Sequence, residues 1–133
     1  MKFIIASGPV IIEGGKLLVI KDNKDDFYKI PGGTVEVGDS LIESCKREFK
    51  EEVNGEVEII KPLNPMIIYK NPQTKEEMTI VLIHYLGKLL NKKDLKPISP
   101  IKEINWLNID DIKNGKHKIA PNIKFLIEKG DIR

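Results

Sequence analysis

The sequence predicts a mixed α/β fold: β-strands around one central helix, with a second helix closing the chain. Three observations carry that expectation. Apolar segments rich in Ile and Val recur as far as Leu86, a strongly amphipathic helical pattern interrupts them after Asp39, and another helical pattern follows Ile119. With 133 residues the chain suits one domain, taken here as residues 1–133, with a hydrophobic core of its own.

Each element has a local reason. Lys2–Glu13 and Lys16–Lys21 are β-branched runs separated by Gly14-Gly15, the pattern of a hairpin that opens the fold. In Phe27-Tyr28-Lys29-Ile30-Pro31-Gly32-Gly33, proline pushes Ile30 toward an extended conformation and the two glycines allow a tight turn with exposed backbone. The central helix starts near residue 40, where Asp39 and Ser40 compete for the N-cap and Ser40-Leu41-Ile42-Glu43 has the capping-box form. Leu41, Ile42, Cys45, Phe49 and Val53 make an apolar stripe that requires a core to pack against, and Asn54-Gly55 supplies a stop. Glu56–Ile60, Met66–Tyr69 and Met78–Leu86 read as strands that extend a mixed sheet. Asn91–Pro100 is a polar loop, Glu103–Leu107 a short strand, Asp110–Lys113 a helical turn and Ala120–Lys129 the closing helix.

Composition narrows the classes of function. The net charge of +2 conceals abundant charge of both signs, and the lysines are scattered, so no dedicated nucleic-acid partner is expected. The chain shows no signal-type segment at its start and no apolar run approaching the roughly 20 residues needed to cross a bilayer, which gives the expectation of a soluble cytoplasmic protein without a membrane partner. Cys45, the one cysteine, falls on the apolar stripe and is read as core filling.

The chemistry concentrates on the central helix. Residues three and four apart share a helical face, so Glu48, Glu51 and Glu52 project within one arc. Like charges so placed repel, and a bound cation reverses that penalty. Hard oxygen ligands suit Mg2+, which takes few carboxylates and keeps positions for water and phosphate oxygens. Arg47 adds a forked donor able to hold neighbouring carboxylates or loop carbonyls.

Gly33, Arg47, Glu48, Phe49, Glu51 and Glu52 stand at the spacings of the Nudix box, and the chain resembles the Nudix hydrolases, MutT-like members in particular. It departs from the box at Asp39, where the pattern has Glu, at Asn54, where it has Gly, and at Gly55, where it has an aliphatic residue. The last two departures suggest a helix stop displaced by one residue. The resemblance implies an α/β/α sandwich with a mixed β-sheet, a central catalytic helix, and Mg2+, with Mn2+ as a substitute. It implies metal ligation by Glu48, Glu51, Glu52 and the main-chain oxygen of Gly32, with Arg47 in the catalytic group and Glu48 as one candidate base among carboxylates whose roles differ within the family. The reaction implied is attack of water on a phosphorus of a diphosphate linkage.

The substrate expected is a small nucleotide, a nucleoside triphosphate ahead of ADP-ribose and dinucleoside polyphosphates. Ala120-Pro121-Asn122 resembles an element of MutT-like proteins whose asparagine contacts a purine base; Asn122 is thus a candidate base reader, or else a helix-starting residue. Tyr28 is a candidate for base stacking, and Lys21 and Lys29 for phosphate contact. His84, on an apolar strand, reads as a packed histidine. A nucleotide-binding module that has lost turnover is the second class of function, and a homodimer is left open by the family resemblance.

Overall fold

A computed structural model describes residues 2–133. Its strands are β1 (Phe3–Val10), β2 (Ile12–Glu13), β3 (Lys16–Asp22), β4 (Gly33–Thr34), β5 (Val57–Pro62), β6 (Met66–Lys70), β7 (Glu77–Leu89) and β8 (Ile101–Asn108). Its helices are α1 (Leu41–Val53), α2 (Ile109–Lys113) and α3 (Pro121–Glu128), with a single 3-10 turn at Lys92–Asp94 inside the expected polar loop. No helix among the described residues is long and apolar enough to cross a membrane.

The strands form two sheets where the sequence suggested one. The first is mixed: β1 runs parallel to β7, while β4 pairs antiparallel with β1, and β5 and β6 pair antiparallel with successive parts of β7. The second is antiparallel, in the order β2-β3-β8. The expected hairpin is therefore corrected at its first arm. Gly14 and Gly15, at φ of 57° and 75°, turn the chain between β2 and β3, but the run Lys2–Glu13 divides after Val10 and its longer part enters the other sheet. Val10 and Ile11 mark the division, because their side chains belong to different cores.

Period-two alternation along β3 explains why two cores exist. Leu17 and Val19 face one layer with Ile109, Ile112, Ile123 and Leu126 from α2 and α3; Leu18 and Ile20 face the other with Phe49 and Val53 from α1. Helices thus cover both sides of the strands, as the α/β/α expectation required. The stripe on α1 is narrower than expected: Cys45, Phe49 and Val53 are fully buried, whereas Ile42 is exposed.

Candidate active site

Helix α1 delivers its carboxylates to the Pro31-Gly32-Gly33 turn. Ser40 takes the N-cap, its Oγ accepting the Glu43 amide at 3.1 Å, which releases Asp39 to accept from Arg47 Nε at 3.2 Å. Asn54 ends the helix in the left-handed conformation at φ 58°, so the stop falls at Asn54 itself and is not displaced. Between these ends, Arg47 gathers the acidic groups. Its Nη1 reaches Glu48 Oε1 at 3.0 Å and Glu51 Oε2 at 3.3 Å, and its Nη2 donates to the Thr34 carbonyl at 3.3 Å. Arg47 thereby ties the helix to β4 and fixes the direction of Glu48.

Glu52 lies deeper. The Gly32 amide donates to its Oε1 at 2.6 Å, and a side chain at Gly33 would collide with the Glu48 carboxylate, so both carboxylates press against the glycine turn. Burial pushes the Glu52 carboxyl up to about 8; the Gly32 hydrogen bond opposes that shift and the neighbouring Glu48 reinforces it. Burial also raises Glu48, with Arg47 pulling it down and Glu51 adding to the rise. Two carboxyls that resist ionisation side by side fit a cation, which would favour the charged form of both. No three His, Cys, Asp or Glu side chains among the described residues enclose a metal position by themselves. A Mg2+ site needs only one or two carboxylates when phosphate and water supply the remaining oxygens, so the donor set is chemically adequate.

A cleft of about 350 Å3 opens beside the turn. Gly32, Gly33 and Thr34 of the turn and its following strand line it, together with Lys29, Asp25 and Gln73, and so do His84 and Asn122. Lys29 Nζ lies 3.0 Å from Asp25 Oδ2 and 3.1 Å from Asp22 Oδ2. Gln73 Nε2 donates to Asp25 Oδ1 at 2.8 Å and Asp22 Oδ2 at 3.0 Å, stapling the loop before β7 to the end of β3.

A family model described as the NUDIX domain matches residues 2–127. The chain belongs to the Nudix hydrolase family. Among curated relatives, the RNA pyrophosphohydrolase of Pelagibacter ubique is 27% identical over 118 residues, covering 77% of this chain and 74% of that protein. The ADP-ribose pyrophosphatase of Methanocaldococcus jannaschii is 26% identical over 111 residues, covering 81% of this chain and 63% of that protein, so the match spans less than two thirds of the relative. The crystal structure of a MutT Nudix hydrolase from Burkholderia pseudomallei agrees with a TM-score of 0.81 at 18% identity, over 96% of this chain and 98% of the other, a likeness of fold.

Within this Nudix fold, Glu48, Glu51, Glu52 and Arg47 come together beside the glycine turn, with Glu51 the most solvent-exposed of the three glutamates, and Gly32, Lys29 and Asn122 line the cleft. Tyr28 and Lys21 do not line it. The Tyr28 hydroxyl donates to Glu103 Oε1 at 2.7 Å, and Lys21 Nζ sits 4.3 Å from the centre of the Tyr28 ring, so the pair is spent on the β3–β8 sheet. Their neighbour Phe27 lines the cleft instead. Nor does Asn122 start a helix: Ala120 is the N-cap, and the Asn122 amide turns inward to His84. Gln73, Asp22 and Asp25 escaped the sequence reading, as did the contact of His84 with the cleft. Only the Asp22–Asp25 spacing, a turn that holds its own backbone amides, was a local signal.

Proposed function

We propose that the protein is a Mg2+-dependent hydrolase of a pyrophosphate linkage in nucleoside diphosphate derivatives, with nucleoside triphosphates the first substrates to consider. The observation that carries this reading is the paired, half-buried Glu48 and Glu52 held against a glycine turn that lines a cleft together with Asn122. Glu52, Glu48 and Glu51, with the Gly32 carbonyl, would hold the cation, Mg2+ in the first place and Mn2+ as a substitute. When bound it would neutralise charge on the phosphoryl oxygens and ease ionisation of a water. Arg47 keeps Glu48 in register for phosphate chemistry, and Glu48 takes the proton from the attacking water. The Gly32–Thr34 backbone shapes the phosphate end, and Asn122 contacts the base.

The test is incubation with Mg2+ and a panel of nucleoside triphosphates, ADP-ribose, dinucleoside polyphosphates and a 5′-triphosphorylated oligoribonucleotide, with products identified by mass spectrometry. Glu52→Gln and a chelator should each abolish turnover, and Glu48→Gln should lower kcat by about a hundredfold or more. Wild-type turnover in Glu52→Gln would reject its role. Tight Mg2+-dependent nucleotide binding without product would instead mark a binding module. The curated relative named as an ADP-ribose pyrophosphatase makes ADP-ribose the second substrate class.

A further inference from the structure

We propose that His84 is a positioning residue. It orients the Asn122 amide so that the cleft prefers a purine bearing an amino group at its six-position over one bearing an oxo group there. The inference rests on the functional reading above, in which Asn122 receives the base.

The argument starts from a backbone carbonyl, which only accepts hydrogen bonds. His84 Nδ1 lies 2.9 Å from the Gly8 oxygen, so Nδ1 carries the hydrogen. His84 is 3% exposed, and burial holds its pKa below the ordinary value, with the Gly8 contact opposing that shift; the ring is neutral and Nε2 presents a lone pair. Asn122 Nδ2 lies 2.9 Å from that Nε2 and must be the donor. Turning the amide over would set its oxygen against the ring lone pair, and changing the tautomer would set Nδ1 against the Gly8 oxygen. One fixed carbonyl therefore sets the polarity of the whole chain of contacts.

The consequence appears at the cleft wall. Asn122 is 8% exposed and lines the cleft, and its Oδ1 makes no hydrogen bond among the described residues. Nor is that oxygen sealed from solvent, since the buried side-chain atoms left without partners are the hydroxyls of Ser7 and Ser44. A fixed acceptor, with the second amide hydrogen beside it, complements the amino donor and ring-nitrogen acceptor on the outer edge of adenine. Hypoxanthine offers an oxygen where adenine offers the amino group, and two acceptors would then face each other in a partly desolvated site.

The test compares equilibrium binding of ADP and IDP, which differ at this edge, by calorimetry with Mg2+ present. Wild-type protein should bind ADP about tenfold or more tightly over IDP. In His84→Phe the ratio should fall toward one as the amide becomes free to turn, and in Asn122→Leu ADP binding should weaken and the discrimination vanish. Equal affinities in the wild type, a preference for IDP, or no binding of either would overturn the proposal, as would an unchanged ratio in His84→Phe. Should that variant fail to fold, nitrogen-15 spectra of the wild-type imidazoles decide the polarity independently of ligand. The chain has 2 histidines, and His84 must show its proton on Nδ1; a proton on Nε2 overturns the inference. Hydrolysis of any compound in the panel would leave the proposed function standing whatever these ratios show.

Discussion

Asp22 illustrates how a wall residue of the cleft can matter to stability. Burial would raise its carboxyl, but the Lys24 amide, Lys29 and Gln73 outweigh that penalty and hold it at about 2. A carboxyl depressed in the folded state stabilises above its unfolded value of 3.8, and the contribution drains away as the pH falls from there toward about 2. Asp22→Asn should therefore cost on the order of 1 kcal/mol at pH 7 and less at pH 2.5, flattening the acid limb of the stability profile in urea titrations. Parallel wild-type and variant profiles would dismiss the idea. At this scale legibility followed sequence distance. Glu48, Glu51 and Glu52 were readable because one helical turn brings them together, and Arg47 because it adjoins them. His84 was not readable as a cleft residue, since its meaning depends on a ladder partner, Gly8, that is 76 positions away.

At the end of helix α1, the Phe49 ring lies in the space beside Gly55. A Cβ at Gly55 would overlap the Phe49 ring, which is fully buried, so the aromatic side chain occupies the room that an aliphatic residue after the stop would otherwise use. Gly55→Ala should destabilise the protein by about 1–3 kcal/mol through overpacking. Combined with Phe49→Leu, the loss should fall short of the sum of the two single variants, because the smaller side chain relieves the clash. Additive losses in a denaturant double-mutant cycle would show that the two positions do not share this space. The start of the helix was legible from Ser40 with Glu43, although Asp39 competed for the cap, because caps are decided by a few neighbouring residues; its stop was expected one residue away from Asn54, where the left-handed residue in fact lies. The compensation was hidden, since nothing in the order of residues says that the Phe49 ring lies over residue 55.

Across the whole molecule, β7 joins most of the first sheet. One edge pairs with β1 over Thr79–Leu86, and the other is shared by β6 and β5 in turn. A hairpin announces itself in sequence because its partners are adjacent; the parallel β1–β7 pair has no such local sign, which is why two sheets were read as one. The same long-range closure brings α1, the glycine turn and β1 into one unit, so a cation bound by Glu48 and Glu52 should hold the folded form together. Mg2+ should raise the Tm of the wild-type protein, a chelator should reverse the gain, and Glu52→Gln should respond much less; equal shifts in both proteins would place the stabilising ion elsewhere. Gly8 belongs to this scale too. A side chain there would run into the Pro31 carbonyl, and its own oxygen accepts the hydrogen bond from His84 Nδ1. The glycine turn that meets Glu52 and the histidine that holds Asn122 thus both rest on a single residue of β1, like two fittings bolted to one bar. Whatever displaces that one residue of β1 displaces both contacts together.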